Sequence, residues 1–165
     1  MTTQDRSSPA HPRRLTYIAA PYFDLDPAVR AWNVARACFL ARAAIAYGDA
    51  PIVVHPGIPQ IYGDEETPEL RALGMRVDLD LLTYVHRANG GLHVLLCDDG
   101  TMSSGVKTEV EHWASLDTSA HAVGYGLKPR PPVVWSWSNL GDVSPLFGRR
   151  DEWVALRRRP SGAIV

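Results

Sequence analysis

Several signatures that would assign a function directly are missing from this chain of 165 residues. Its glycines match neither the GxGxxG fingerprint of dinucleotide-binding folds nor the GxxxxGKS/T phosphate loop, and no serine occupies a GxSxG elbow. It also has no HExxH or CxxC pair, the short-range ligand patterns of zinc sites. We therefore expect neither a metal ion nor any other cofactor.

Net charge, cysteines and long apolar runs are also scarce. The formal net charge is -1, whereas nucleic-acid binding requires a basic face. The two cysteines, Cys38 and Cys97, stand in apolar runs, which predicts small buried side chains in a reducing compartment rather than a disulfide. No apolar run approaches the about 20 residues of a membrane span, and residues 1–14 lack the apolar core of a signal peptide. We expect a cytoplasmic protein with a disordered tail at 1–14 and no nucleic-acid or membrane partner.

The rest of the sequence has the size and composition of one globular domain, residues 15–165. Apolar residues make up 45% and charged residues 21% of the chain, an ordinary balance for a soluble domain. Apolar periodicity and turn residues predict strands at 15–20, 51–55, 92–97, 121–125 and 133–137, and helices at 28–47, 69–87, 107–116 and 152–156. We expect Asp26 and Pro27 to begin the first helix and Gly74 to break the second. Because strands alternate with helices, the predicted class is α/β with a mostly parallel sheet.

Polar residues follow the strand predicted at 92–97. Asp98 and Asp99 come directly after it, and Ser103 and Ser104 stand before the next helix. Ligands of open parallel sheets bind at the carboxyl ends of the strands, and a helix start attracts anions. The aspartates either orient a sugar hydroxyl or a base, or make an Asx turn. The serines either hold a phosphate or cap the helix.

Glu109 is the candidate reactive group of that next helix. It acts either as a nucleophile or general base at the ligand edge or as a residue that complements the helix dipole, and its spacing alone favours the dipole role. Glu111, two residues on, points away from it on a helix, so the two do not form a paired-carboxylate site. Tyr17 either extends its hydroxyl to a neighbouring strand end or packs in the core, and Tyr22 and Phe23 either stack on a base or pack in the core.

Three stretches of the chain combine into a recognisable pattern. Residues 17–23 read Tyr-Ile-Ala-Ala-Pro-Tyr-Phe, the helix that contains Asn33 is followed by Gly48 and the strand at 51–55, and Ser103-x-Gly105-x-x-x-Glu109 opens the later helix. Together they resemble the nucleoside 2-deoxyribosyltransferase-like superfamily. The Ser-x-Gly-x-x-x-Glu order is similar to its nucleoside 5'-monophosphate N-glycoside hydrolase and phage-type branch, because the Asp-x-Gly-Thr of the transferases occurs here at 98–101, too far upstream of Glu109.

This resemblance implies a fold, an assembly and an activity. The fold would be a flavodoxin-like three-layer sandwich with a five-stranded, mostly parallel sheet. The protein would form homodimers or higher homo-oligomers in which a neighbour helps to close the pocket. The activity would be cleavage of the N-glycosidic bond of a nucleoside or nucleoside 5'-monophosphate through a covalent glycosyl-enzyme, by a hydrolase or a deoxyribosyltransferase. The alternative is a module that binds or sequesters a nucleotide in the same pocket without cleaving it.

The resemblance also implies roles for individual residues. Glu109 would attack C1' of the sugar, Tyr17 would orient the attacking carboxylate, and Asp80 would be the acidic residue on the preceding helix. Ser103 would contact a 5'-phosphate. The other residues of the implied substrate site are Pro21, Tyr22, Phe23, Asp98, Asp99, Ser104 and Gly105.

Overall fold

Strands and helices alternate along the described part of the chain, which comprises residues 13–54, 67–116 and 131–136 of a computed structural model. The strands are β1 (Arg14–Ala19), β2 (Asp49–Ile52), β3 (Gly91–Leu95) and β4 (Val133–Trp135), and the helices are α1 (Pro27–Ala46), α2 (Pro68–Arg87) and α3 (Ser104–Ser115). The predicted strand at 121–125 and helix at 152–156 lie outside the described residues, as do residues 1–12 of the predicted tail.

The sheet places β1 between β2 and β3. Its order is β2-β1-β3-β4 and every neighbouring pair is parallel, which confirms the predicted α/β class. The described sheet has four strands rather than the five expected. Because the chain adds β2 on one side of β1 and then crosses over to add β3 on the other, the strand order reverses between β1 and β3. At such a switch point the loops that follow the two strands diverge and leave a crevice at their carboxyl ends.

Helices cover both faces of the sheet because the side chains of β1 alternate between them. Ile18 packs in one apolar cluster with Leu40 and other residues of α1. Tyr17 and Ala19 pack in a second cluster with residues of α2 and α3, among them Leu82. The described residues therefore form three layers, with α1 on one face of the sheet and α2 and α3 on the other.

Side chains fix the start of each helix. Asp26, Thr67 and Ser103 each accept a hydrogen bond from a backbone N–H of the first turn that follows, which satisfies one of the donors that a helix start leaves unpaired. Pro27 occupies the first helical position of α1, where its missing N–H costs nothing. The predicted start of the first helix is confirmed.

Several sequence predictions need correction. Arg14, placed in the predicted tail, is the first residue of β1, and the helix predicted from residue 107 begins at Ser104. α2 runs for 20 residues without a break at Gly74, because the roughly 1 kcal/mol that an interior glycine costs is small beside the packing of a long helix. β2 begins two residues earlier than predicted, at Asp49, because Gly48 adopts a φ of 86° and turns the chain directly after α1. Cys38 and Cys97 are free thiols, but they are half-buried rather than buried.

Candidate active site

Glu109 is buried in the second turn of α3, with its carboxyl group against β1. Tyr17 Oη donates a hydrogen bond of 2.7 Å to Glu109 Oε1, although the two residues are 92 positions apart in the chain. Tyr17 is 0% exposed and Glu109 is 2% exposed. A residue that only complements the helix dipole stands in the first turn, and the first turn of α3 has no acidic residue. Glu109 is therefore a buried carboxyl with a specific donor, an arrangement that clusters at functional sites.

Asp78 of α2 is a second buried carboxyl, 5% exposed, beside the pair of Tyr17 and Glu109. Burial raises the pKa of Asp78 to about 6. Burial also raises the pKa of Glu109 to about 8, while the hydrogen bond from Tyr17 lowers that pKa and the charge of Asp78 raises it. Burial, and then Glu109, raise the pKa of Tyr17, so its hydroxyl remains the donor. Because the two carboxyls interact, they titrate as a pair, and that pair retains a proton near neutral pH.

Asp80, the acidic residue expected on this helix, is not brought to the cluster. It is exposed, and two residues along an α-helix correspond to a rotation of about 200°, so its side chain leaves α2 on the side away from Asp78. Asp78 belongs instead to the buried stripe of α2 that contains Leu82 and Val85. This i, i+4, i+7 spacing is visible in the sequence, and it indicates that Asp78 rather than Asp80 faces the core.

α2 and α3 pack side by side, and this packing sets which residues of the two helices lie opposite each other. Thr83 Oγ1 of α2 is hydrogen-bonded to His112 Nε2 of α3 at 2.8 Å. Near the helix starts, a Cβ on Gly105 would lie 3.3 Å from Met75 Cε. Gly105 therefore lies against α2 one turn before Glu109, and its missing side chain allows the two helices to approach each other.

Ser103 and Ser104 stand at the start of α3. Ser103 Oγ accepts a hydrogen bond of 3.3 Å from the backbone N–H of Val106, so the capping role is present in the structure. The hydroxyl hydrogen of Ser103 can still be donated to a ligand. Ser104 is exposed in the first turn, where backbone N–H groups attract anions.

The two aspartates after β3 make different contacts. Asp99 Oδ1 accepts hydrogen bonds from the backbone N–H of Thr101 at 2.9 Å and from its hydroxyl at 2.7 Å, which is an Asx turn. The side-chain hydrogen bond and then the backbone one hold the pKa of Asp99 below its ordinary range. Asp98 Oδ1 lies 2.9 Å from Nη1 of Arg36 on α1. Asp99 thus shapes its own loop, whereas Asp98 is tied to the helix on the other face of the sheet from Glu109.

Pro21, Tyr22 and Phe23 leave β1 at the same edge of the sheet. Pro21 is buried, and the carbonyl oxygen of Tyr22 accepts a hydrogen bond of 3.3 Å from Asn33 Nδ2. Phe23 is exposed, and the guanidinium carbon of Arg71 lies 4.9 Å from its ring centroid. This cation–π contact connects the loop after β1 to the start of α2. It adds Arg71, which sequence reasoning missed, as a cation beside the loop that follows β1.

The site offers carboxyl, hydroxyl and guanidinium groups for chemistry. Within residues 13–54, 67–116 and 131–136, no three His, Cys, Asp or Glu side chains are grouped so that they could hold a metal ion.

In that same part of the chain no helix has the length and apolar character needed to cross a membrane.

Comparison with known proteins places the chain in a family without naming an activity. No curated protein and no solved structure matches it. Residues 14–122, from the first residue of β1 to beyond α3, match a family described as a domain of unknown function, DUF7768. The matched region is more than half of the chain and contains Tyr17, Asp78, Ser103 and Glu109. The protein therefore belongs to the DUF7768 domain family.

Proposed function

We propose that this protein cleaves the N-glycosidic bond of a nucleoside or a nucleoside 5'-monophosphate, with Glu109 as the nucleophile. The observation that carries the proposal is the hydrogen bond of 2.7 Å from Tyr17 to the buried Glu109. A carboxylate nucleophile needs a group that orients it, and a buried hydroxyl donor is such a group. The resemblance of Tyr17, Ser103 and Glu109 to the residues of N-glycoside hydrolases supports the same role.

The sheet supports a more specific fold proposal as well. The order β2-β1-β3-β4 agrees with the first four strands of the flavodoxin-like order 2-1-3-4-5. We therefore propose a flavodoxin-like three-layer sandwich whose ligand crevice lies between the carboxyl ends of β1 and β3. Tyr17 lies on β1 and Glu109 on the helix after β3, so these two residues come from the two elements that border the crevice.

The proposed reaction follows from the chemistry of the bond. N-glycosidic cleavage passes through an oxocarbenium-like state, which a carboxylate below the sugar stabilises. Tyr17 engages Oε1 of Glu109, so we assign Oε2 to the attack on C1'. As the C1'–N bond breaks, its electron pair leaves with the base and a glycosyl ester forms on Glu109. Water then hydrolyses the ester, or a second base takes the sugar.

The leaving base needs a proton, and we assign its source to Asp78. The pair of Asp78 and Glu109 works when the proton is on Asp78 and the negative charge is on Glu109. In the free protein the proton is held mainly by Glu109, whose pKa is raised to about 8 against about 6 for Asp78, so the reaction requires its transfer to Asp78. The hydrogen bond from Tyr17, which lowers the pKa of Glu109, and the positive charge that develops on the sugar both favour this transfer. Asp78 then acts as a general acid and is restored by a proton from solvent.

Three groups at the mouth of the crevice could recognise a 5'-phosphate. They are the hydroxyl of Ser103, the backbone N–H groups at the start of α3, and the guanidinium of Arg71. Each is a donor, and Arg71 is also a cation, so together they favour an anionic substrate. Comparison of a nucleoside with its 5'-monophosphate measures their contribution.

A nucleotide-binding module without catalysis is the second candidate function. Burial raises the pKa of Glu109 to about 8, so the free protein holds this carboxyl largely protonated at neutral pH. A protonated carboxyl donates a hydrogen bond to a sugar hydroxyl, as a binding site requires, but does not attack C1'. Both functions use the same pocket and are separated only by whether product forms.

The test is base release from a panel of nucleosides, 5'-monophosphates and NAD-like compounds, followed by chromatography. Wild-type protein should release the free base from at least one of them. Glu109→Gln should keep the fold and lose on the order of 10³-fold in rate, about 4 kcal/mol of activation free energy. Glu111→Gln is the matched control, because Glu111 is an exposed carboxyl on the same helix, and it should retain the wild-type rate.

Two outcomes contradict the hydrolase proposal. Product release by Glu109→Gln at the wild-type rate would remove Glu109 from the chemistry. Stoichiometric binding of a panel compound by wild-type protein with no product would favour the binding module.

A further inference from the structure

Asn33 and Arg36 form a buried polar pair on one face of α1. They are one helical turn apart and are 8% and 2% exposed, in a helix whose other buried residues are alanines, Phe39 and Leu40. A buried amide or guanidinium is costly unless it is hydrogen-bonded. The hydrogen-bond partners of both side chains lie in the loops that border the crevice. These two polar groups of α1 therefore connect the helix to those loops.

We define the first rim loop as residues 20–26, between β1 and α1, and the second rim loop as residues 96–103, between β3 and α3. Asn33 Nδ2 donates to the carbonyl oxygen of Tyr22 in the first rim loop. Arg36 Nη2 donates to the carbonyl oxygen of Leu96 in the second, and Arg36 Nη1 lies 2.9 Å from Asp98 Oδ1 in the same loop. α1 therefore contacts both sides of the crevice, from the face of the sheet opposite Glu109.

The second rim loop is shaped by its own hydrogen bonds. The backbone N–H of Cys97 donates to Thr101 O at 2.8 Å, and that of Gly100 donates to Cys97 O at 3.0 Å. The Asx turn of Asp99 adds further bonds. At the start of the loop, the backbone N–H of Leu96 donates to Trp135 O of β4 at 2.9 Å, which joins the loop to the sheet. The bonds from Arg36 to Leu96 and Asp98 attach the turn to α1 as well, and the turn leads directly to Ser103 and to α3.

We propose that Arg36 is a positioning residue that fixes the second rim loop, and that Asp98 belongs to this attachment rather than to substrate contact. The proposal rests on the function proposed above insofar as α3 carries the nucleophile. Arginine suits the position because its planar fork presents separate donors to a carbonyl and a carboxylate at once, whereas lysine is a single point charge. A misplacement of about 1 Å in a reacting group can cost on the order of 100-fold in rate, so a loosened attachment should be visible in turnover.

The test compares Arg36→Met, Arg36→Lys and Asp98→Asn with wild-type protein. Arg36→Met keeps an apolar stem of similar length and removes both bonds, Arg36→Lys keeps the charge but only one donor group, and Asp98→Asn keeps a neutral acceptor. Arg42→Met is the matched control, because Arg42 is an exposed residue of the same helix. Hydrogen–deuterium exchange measures the backbone protection of the rim loops, and kcat and KM for base release measure the activity of the site.

We expect backbone exchange in residues 96–103 to increase at least tenfold in Arg36→Met while α2 keeps its wild-type protection. We expect kcat to fall by about 10-fold to 100-fold with an unchanged pH profile. Arg36→Lys should recover only part of both losses, Asp98→Asn should be milder, and Arg42→Met should match wild type.

Unchanged exchange at 96–103 in a folded Arg36→Met would overturn the proposal. So would an equal rise of exchange in α2, because that would indicate a general role in the core. If Arg36→Met does not fold, Asp98→Ala removes the contact between Arg36 and Asp98 at its exposed end, and the same exchange measurement is made on that variant. If wild-type protein releases no base, the function proposed above fails, whereas the exchange result still decides whether Arg36 positions the loop.

Discussion

At the scale of the residue, Tyr17 and Asp78 have opposite effects on the pKa of Glu109. The Tyr17 hydroxyl stabilises the carboxylate of Glu109 and lowers its pKa, whereas the charge of Asp78 raises it. The two effects predict opposite shifts on mutation. Tyr17→Phe should move the ionisation of Glu109 to higher pH, and Asp78→Asn should move it to lower pH. Carboxyl-carbon NMR titration of labelled glutamate measures both shifts.

Matched controls are available for both substitutions. Tyr84→Phe removes a hydroxyl from an exposed residue of α2, and Asp80→Asn removes an exposed carboxyl two residues from Asp78. Neither should move the Glu109 titration. Shifts of the same sign in Tyr17→Phe and Asp78→Asn would show that the coupling described for this cluster is wrong. A shift of the Glu109 titration in Asp80→Asn as large as that in Asp78→Asn would indicate that Asp80 belongs to the site.

At the scale of the element, apolar periodicity predicted most helices and strands but not all of their ends. The first helix was predicted well because Asp26 and Pro27 are strong local signals. The break expected at Gly74 does not occur, since one weak helix former is outweighed by the packing of α2 as a whole. The start of β2 depends on the turn at Gly48 and also on the pairing of Asp49 with Arg14 of β1, and that pairing is a tertiary contact that local patterns do not encode.

The glycines of α2 and of the turn after it give the next prediction. A Cβ on Gly90 would lie 2.6 Å from Leu15 O and 2.7 Å from Val85 O, whereas nothing lies within 4 Å of a Cβ on Gly74. Gly90→Ala should therefore destabilise the fold by about 1–3 kcal/mol, because backbone atoms cannot give way easily. Gly74→Ala should stabilise it by roughly 0.5–1 kcal/mol. Urea unfolding measures both changes, and a loss of stability in Gly74→Ala would mean that α2 does break there.

The site itself was only partly predictable. Tyr17 and Glu109 were proposed from motif resemblance, because no local rule connects residues 92 positions apart. Helical periodicity places Asp78 on the buried stripe with Leu82 and Val85, whereas the family resemblance favours Asp80. Arg36 could not have been found from the sequence, since its partners Leu96 and Asp98 are set by the packing of α1 on the sheet.

At the scale of the whole molecule, the buried carboxyls make folding stability depend on pH. Glu109 and Asp78 have pKa values raised to about 8 and about 6 in the folded protein, so between about pH 4 and 8 the folded state binds more protons than the unfolded state. Their contribution is fully present below the unfolded pKa values and is lost as the pH rises through the folded ones. His93 acts in the opposite direction, because burial lowers its pKa and its contribution is lost as the pH falls.

The difference between wild type and Glu109→Gln reports Glu109 together with its coupling to Asp78, because the contribution of His93 is common to both. We expect the unfolding free energy of wild type to fall relative to that of Glu109→Gln as the pH rises from 5 to 8, by an amount on the order of a few kcal/mol. Chemical denaturation at several pH values measures the difference, and Glu111→Gln is the matched control because it removes an exposed carboxyl from the same helix. A gap between wild type and Glu109→Gln that stays constant with pH would mean that Glu109 has an ordinary pKa. The ionised Glu109 would then be stabilised in the resting protein by other groups in addition to the hydroxyl of Tyr17.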